Sequence, residues 1–164
     1  MSRDISQLEI RLLEERDLEP LGRRLGHSRD HIERRWRERQ SGQRTTFVAE
    51  LDGAMAGCVS LEERKEFPGQ LHLFELGVLE SLRGLGIGTW LIEAVEAEAR
   101  RLGLDGVYLG VDVEHAAAVR LYERLGYERV GEPFDSRWIW HGPDGEEREV
   151  RERCYRMVRR FDGG

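Results

Sequence analysis

Apolar and polar residues alternate along several short runs of the chain, and this period of two predicts β-strands. The strand pattern occurs at residues 8–13, 45–51, 54–61, 71–78 and 106–111. Asp52 and Gly53 separate the second run from the third. An Asp-Gly pair between two such runs is typical of a two-residue β-hairpin.

Helical periodicity fills the segments between these strands. Residues 17–40 predict two short helices that are broken near Gly26, with Ser28 as the N-cap of the second. A longer helix ends at Gly103, and a further one begins at Ala118 and ends at Gly126. The apolar face of the longer helix is predicted to comprise Ile87, Leu91, Ala94, Val95 and Leu102, interrupted by Glu98.

The C-terminal part of the chain predicts a short strand at 127–131, a hairpin that turns at 142–145, and a last strand. The whole order is βααββ, then β-loop-α-β-α-β, then β. The simplest architecture is an α/β fold in which helices cover both faces of a mixed sheet. We expect residues 1–164 to form one domain.

Composition narrows the class of protein. The chain is 39% hydrophobic and 35% charged, which is typical of a folded globular protein. Its net charge of −6 argues against nucleic-acid binding and mildly favours a cationic partner. No apolar run approaches the roughly 20 residues of a membrane helix, and no secretory leader is visible. Cys58 and Cys154 read as buried thiols, so we expect a cytoplasmic protein.

The stretch LRGLGIGTW, residues 82–90, lies between a predicted strand and a predicted helix. A glycine loop in that place exposes main-chain N–H groups and a positive helix end to an anion. A Walker A loop is excluded because the stretch has no lysine. A dinucleotide fingerprint needs G-x-G-x-x-G and a longer α/β domain, whereas Gly84, Gly86 and Gly88 give G-x-G-x-G. The remaining alternative is a tight connection without a ligand.

The segment from Arg83 to Gly88 resembles the signature Arg/Gln-x-x-Gly-x-Gly/Ala of the GCN5-related N-acetyltransferases (GNAT). Downstream, the segment from Ala118 to Tyr127 resembles the family's second motif, A-x-x-L-Y-x-x-x-G-F/Y. The resemblance covers 71–131 most closely. It implies a mostly antiparallel central sheet and an acetyl-CoA-binding core at 71–131. An N-terminal part at 1–66 and a C-terminal hairpin at 132–164 would flank that core.

The resemblance implies acetyl-CoA as co-substrate and no metal. The loop would bind the pyrophosphate through N–H groups from Arg83 through Thr89. The pantetheine would lie where the strand 71–78 diverges from the strand 106–111, and Gly77 suits a bulge there. The residues implied in binding acetyl-CoA are Leu76, Gly77, Val78, Arg83, Gly84, Leu85, Gly86, Ile87, Gly88, Thr89, His115 and Tyr122.

Family members usually transfer the acetyl group by direct attack of an amine. Tyr122 matches the family's tyrosine and is the expected acid for the leaving thiolate. Glu75 is the expected base, because burial between Phe74 and Leu76 raises a carboxyl pKa. The alternative for Glu75 is a structural carboxylate paired with an arginine. His72 is a weaker candidate for the base, on the opposite face of a regular strand.

His115 stands where the family often has asparagine, so it either contacts the pantetheine or only starts a helix. The acceptor site is expected from residues 17–44 and 132–153. Trp138 and Trp140 share one face of a strand, and packing in the core or in a homodimer ranks above acceptor binding. We expect the acceptor to be a small-molecule or peptide amine, and the net charge favours a cationic one. The alternatives are a non-catalytic acyl-CoA-binding module, a small protein that binds a dinucleotide through the glycine loop, and a transferase with a longer acyl donor.

Overall fold

The computed structural model describes residues 5–142 and 144–162. The first four and last two positions of the expected domain, and Pro143 of the expected turn, lie outside the described residues. The strands are β1 (Leu8–Leu12), β2 (Thr45–Leu51), β3 (Ala54–Glu63), β4 (Gln70–Val78), β5 (Gly106–Asp112), β6 (Glu128–Arg129), β7 (Phe134–His141) and β8 (Glu147–Arg160). The helices are α1 (Leu18–Leu25), α2 (Arg29–Ser41), α3 (Ile87–Arg101) and α4 (Ala116–Arg124).

The strands form one sheet in the order β1-β2-β3-β4-β5-β8-β6, and β7 pairs with the remaining part of β8. Every pairing is antiparallel except that of β4 with β5. This mixed sheet, mostly antiparallel and flanked by helices, confirms the predicted fold class.

A buried cluster lies on each face of the sheet. Alternate residues of β2 and β3 point to opposite faces, as the pleat requires. Ala49 and Val59 belong to the larger cluster, which also contains the buried residues of α3 and α4. Val48 and Cys58 belong to the smaller cluster under α1 and α2. The two helical layers therefore cover opposite faces.

Local signals in the sequence produce the expected turns. Ser28 Oγ accepts a hydrogen bond from the His31 N–H at 3.2 Å and caps α2. Asp52 and Gly53 have φ values of 53° and 80°, the left-handed conformations that a tight hairpin needs. Gly26 ends α1 in the same conformation. The predicted break between α1 and α2 and the predicted β2–β3 hairpin are confirmed.

The predicted apolar face of α3 is partly wrong. Leu102 is 42% exposed, whereas Glu96 is buried. The Glu96 carboxylate accepts hydrogen bonds from the Tyr127 hydroxyl at 2.9 Å and from Arg159 Nη1 at 2.8 Å. Because these two donors satisfy the carboxylate, Glu96 is stable on the face of α3 that was predicted to be apolar. The network joins α3 to β8 and to Tyr127, which lies between α4 and β6.

No described helix is long and apolar enough to cross a membrane.

Candidate functional site

The sheet opens between its two parallel strands. β4 and β5 are paired only from Gln70 opposite Gly106 to His72 opposite Tyr108. Beyond His72, β4 remains paired with β3 on its other edge, where Val78 faces Gly57. Among the described residues, no strand pairs with the β5-facing edge of β4 over residues 74–78, so its main-chain groups are available to a ligand. The predicted divergence of the two strands is confirmed.

A β-bulge accompanies this opening, and it lies at Glu75 rather than at the predicted Gly77. Ser60 pairs with Phe74 and Cys58 pairs with Gly77, so β4 carries one extra residue in this interval. Glu75 has a φ of 53°, a left-handed conformation that is rare for a residue with a side chain. Such a conformation persists only where neighbouring contacts enforce it.

The Glu75 carboxylate is held by α2. Arg35 Nε donates to Glu75 Oε2 at 2.8 Å, and Arg35 Nη2 donates to Glu75 Oε1. His31 Nε2 lies 3.4 Å from Oε2 of the same carboxylate. Arg35 itself is buried and its guanidinium lies over the Phe74 ring. The bidentate pair is thus anchored from the helix side.

The expected rise in the Glu75 pKa is wrong. Burial does act to raise that pKa, but the hydrogen bonds and charges of His31 and Arg35 outweigh it and lower the pKa to about 2. The carboxylate therefore stays ionised at neutral pH and holds a proton weakly. The arginine-paired carboxylate, the alternative weighed from the sequence, is what the structure shows.

His72 lies on the same cavity as Glu75, not on the opposite side as a regular strand requires. The bulge at Glu75 shifts the alternation of side chains along β4 and brings Glu75 to the face of His72. The His72 ring stacks between Phe74 and Tyr108, at centroid distances of 5.0 and 4.8 Å. Its Nδ1 lies 3.3 Å from Glu62 Oε1. Burial lowers the His72 pKa below 6.5, so the imidazole is neutral at pH 7 to 8.

The glycine loop is held between two buried anchors, Leu82 before it and Ile87 after it. Gly84 and Gly86 have φ values of 83° and 90°, which only glycine adopts readily. No atom lies within 4 Å of the position that a Cβ would take at either glycine. The loop is therefore open on the side where a side chain would otherwise stand.

The main-chain N–H groups of this loop lack partners. Among the described residues, no N–H from Gly84 through Thr89 donates a hydrogen bond. The Arg83 N–H was expected to join them, but it donates to Glu80 O at 3.3 Å. Arg83 Nε donates to Val78 O at 3.3 Å and ties the loop to the end of β4. A row of free N–H donors at the start of a helix fits a phosphate group.

Tyr122 is buried in the larger cluster and meets Tyr127 edge-on at a centroid distance of 5.8 Å. The Tyr122 hydroxyl makes no hydrogen bond within the described part of the chain, unlike that of Tyr127. Burial raises the pKa of Tyr122 to about 12, above the value near 10 assumed from the sequence. The phenol therefore keeps its proton at neutral pH and has a free O–H to donate.

His115 is exposed and occupies the N-cap position of α4, without a side-chain hydrogen bond to the helix. His115 therefore stands at the start of α4, as one of its two interpretations from the sequence predicts. Cys58 and Cys154 are both free and buried, as predicted. Burial raises the pKa of Cys58 to about 12, which makes it a poor nucleophile.

A cavity of about 940 Å³ lies beside the sheet opening, and α2, β4, β5, β7 and β8 line it. The two regions expected to form the acceptor site both contribute to this cavity. Trp138 and Trp140 line it, and Trp138 is 44% exposed, so packing in the core is wrong for Trp138, whereas packing in a homodimer stays a prediction. The pattern could not show this, because β7 pairs with β8 beyond the end of β5.

The charge of this cavity differs from the charge of the whole chain. Four arginines and two glutamates line it: Arg34, Arg35, Arg64, Arg156, Glu75 and Glu152. The preference for a cationic acceptor, drawn from the net charge, therefore has no support in the cavity walls. Among the described residues no three His, Cys, Asp or Glu side chains are grouped to hold a metal ion.

Two arginines of this cavity were not predicted from the sequence as site residues. Arg35 lies on α2, forty residues before the carboxylate that it binds, and Arg156 lies on β8 near the C-terminus. Both belong to a chain in which arginine is abundant, so neither carries a distinctive local signal. A partner for Glu75 was foreseen only as an unspecified arginine.

Comparison with known families matches residues 9–127 to the Acetyltransferase (GNAT) family. An N-alpha-acetyltransferase from Sulfurisphaera tokodaii is 35% identical over 94 residues, which cover 51% of this chain and 56% of that protein. The chain spans about half the length of the curated relatives it matches.

Solved structures share the fold at low identity. A spermidine N-acetyltransferase from Vibrio cholerae, in complex with CoA and spermine, superposes with a TM-score of 0.73 at 23% identity. That match covers 94% of this chain and 96% of the other. A ribosomal-protein-alanine N-acetyltransferase from Brucella melitensis gives 0.71 at 20% identity, over 93% and 99% of the two chains.

The Arg35–Glu75 pair predicts a pH-dependent contribution to stability. Because the folded-state pKa of Glu75 lies below its ordinary value of 4.5, the contribution is complete above that value and is lost as pH falls toward 2. We expect Glu75→Gln to lower the free energy of unfolding by about 1 kcal/mol at pH 7, because solvent screens a carboxylate whose side chain is 30% exposed. The difference from wild type shrinks between about pH 5 and pH 3.

Urea unfolding at several pH values measures this difference. Glu80→Gln, at an exposed glutamate with no ion pair in the described structure, is the matched control and should show no such trend. A Glu75→Gln difference that stays constant from pH 7 to pH 3 would contradict the account.

Proposed function

The chain belongs to the acetyltransferase (GNAT) family, and on that premise we propose that it transfers the acetyl group of acetyl-CoA to a primary amine by direct attack in a ternary complex. The observation that carries this proposal is the row of unpaired N–H donors from Gly84 to Thr89, beside an open strand edge. The relatives named above are N-acetyltransferases, which supports the same reaction.

The loop and the open edge fit the two ends of this co-substrate. The N–H groups at the start of α3 would hold the pyrophosphate, and the glycines leave room for its oxygens. The free edge of β4 at Leu76–Val78 would bind the amide groups of the pantetheine arm as a partner strand does. Bound in this way, acetyl-CoA supplies the thioester that the amine attacks. The cavity on the other side of the opening would hold the amine.

The transfer requires one new bond and one broken bond. The neutral amine nitrogen attacks the acetyl carbon, the C–N bond forms, and the C–S bond breaks. The nitrogen loses one proton, and the leaving sulfur gains one. Tyr122 has a protonated hydroxyl without another partner, so we assign it to donate to the sulfur. Its proton is replaced from solvent.

The proton from the amine goes to His72 in this proposal. Glu75, the first choice from the sequence, is held by Arg35 and has a pKa of about 2, which makes it a weak acceptor. His72 lies at the point where the strands part, and it is neutral at the pH of an assay. Glu62 lies next to its Nδ1 and would stabilise the imidazolium that forms. Glu75 would act as a positioning residue that holds the bulge.

Gly86→Val tests the loop. Valine is strongly strained at a φ of 90°, and its side chain would fill the open side of the loop. We expect the Kd for CoA to rise about 100-fold, or roughly 2.7 kcal/mol, in calorimetric titration. Gly103→Val is the matched control, because Gly103 follows the other end of α3 with a φ of 75° and an equally open side. Equal affinities of the two variants would refute the loop assignment.

Tyr122→Phe tests the acid. Loss of the hydroxyl should lower kcat about 100-fold while the Kd for CoA changes little, since only the transition state uses that hydrogen bond. Tyr127→Phe is the control, because its hydroxyl binds Glu96 and should affect stability more than turnover. An unchanged kcat in Tyr122→Phe would show that Tyr122 is not the acid and has only a structural role.

His72→Gln tests the base. The wild-type rate should fall on the acid side of neutrality, with an inflection below the ordinary histidine pKa of 6.5, because the imidazole becomes protonated. The variant should lose about 100-fold in kcat at pH 8 and lose this acidic inflection. Glu75→Gln should keep the inflection. If the acidic inflection of the pH–rate profile disappears in Glu75→Gln and remains in His72→Gln, Glu75 and not His72 is the base.

A further inference from the structure

Arg156 occupies an unusual place in the cavity wall. Its guanidinium lies 4.4 Å from the centroid of the Phe67 ring and 4.8 Å from that of Phe134. No carboxylate of the described residues forms an ion pair with it. The side chain is half-buried and lines the cavity. Aromatic rings interact with the face of a guanidinium and leave its in-plane N–H donors unused.

The surroundings of Arg156 hold it in this orientation. Arg156 faces Gly110 across the β5–β8 pair. A side chain at Gly110 would contact the Phe134 ring at 3.2 Å, so the glycine leaves room for that ring. Phe67 in turn packs against Tyr108, at a centroid distance of 4.5 Å. The guanidinium is therefore fixed by packing and not by a salt bridge.

A second polar group of the same wall lacks a partner. Tyr108 is 3% exposed and lines the cavity, and its hydroxyl makes no hydrogen bond among the described residues. A buried hydroxyl without a partner is costly. The Tyr108 hydroxyl oxygen has no surface open to the cavity, so Arg156 is the donor of this pair that a ligand in the cavity can reach.

This region lies at the level of the sheet opening. Tyr108 is the last residue of β5 that pairs with β4, and Gly110, beside Arg156, lies two residues further. An anionic group bound by Arg156 therefore lies close to where the reacting amine has to stand. Two carboxylates line the same cavity, Glu75, which pairs with Arg35, and Glu152, and the four arginines of the lining outnumber them.

We propose that the acceptor is an amine that also carries a carboxylate, an amino-acid-like molecule whose carboxylate binds Arg156 and whose apolar part lies against the aromatic wall. This inference rests on the proposed function and specifies its substrate class. A carboxylate matches the fork of a guanidinium and accepts two hydrogen bonds in its plane. Trp138 and Phe134 supply the apolar surface. A polyamine has no group for Arg156 and meets excess positive charge.

The test compares amine acceptors that carry a carboxylate with amine acceptors that do not. Phenylalanine, phenylalaninamide, phenethylamine and spermidine are each assayed at pH 8 with acetyl-CoA. We expect phenylalanine to exceed its amide at least about tenfold in kcat/KM. Arg156→Met keeps the apolar stem and should abolish this preference. Arg160→Met, at an exposed arginine on the same strand, should preserve it. Equal values for phenylalanine and its amide in wild type would overturn the inference.

Product binding separates this inference from the proposed function. Calorimetry measures the affinity of N-acetylphenylalanine and of N-acetylphenylalaninamide, with no turnover required. Tighter binding of the acid in wild type, lost in Arg156→Met, supports the carboxylate site even if no amine is acetylated. Acetylation of phenethylamine or spermidine with equal binding of acid and amide supports the proposed function and refutes this inference.

Discussion

The ion pair between Arg35 and Glu75 is the constraint on which the site depends. It joins α2 to β4 at the bulge, where Glu75 adopts a left-handed conformation that a glutamate does not favour by itself. The bulge bends β4 just beyond its last pair with β5. One edge of β4 is thereby free, and His72 and Glu75 come to the same cavity. Arg35 also pairs with Glu38 on α2, so one buried guanidinium holds two carboxylates, and its removal would leave both of them without this partner.

The glycine loop and the open strand edge form one continuous surface for an extended, phosphate-bearing molecule. Leu82 and Ile87 fix the loop in the core, while the glycines keep its N–H groups accessible. Arg83 links the loop to Val78 at the end of the free edge. On the far side of the opening, the cavity supplies aromatic rings, imidazoles and arginines. A thioester held in the opening is therefore accessible to an amine from the cavity.

The features that sequence reasoning predicted well are those with local causes. Ser28 caps its own helix, Asp52-Gly53 closes its own hairpin, and the glycines of the loop set their own conformations. The errors share a non-local cause. Glu96 is buried because Tyr127 and Arg159 reach it from distant segments. The pKa of Glu75 is low because Arg35 and His31 reach it from α2. His72 and Glu75 share one face of the sheet because of a β-bulge that the local sequence does not indicate.

Release of free thiol from acetyl-CoA, with the N-acetylated amine identified by mass spectrometry, measures the proposed acetyl transfer itself. We predict that release depends on a primary amine, and that each thiol released corresponds to one acetylated amine. CoA binding without thiol release, with amino acids, peptides, polyamines and aminoglycosides all tried, would contradict the claim. That result would favour an acyl-CoA-binding module on the same fold.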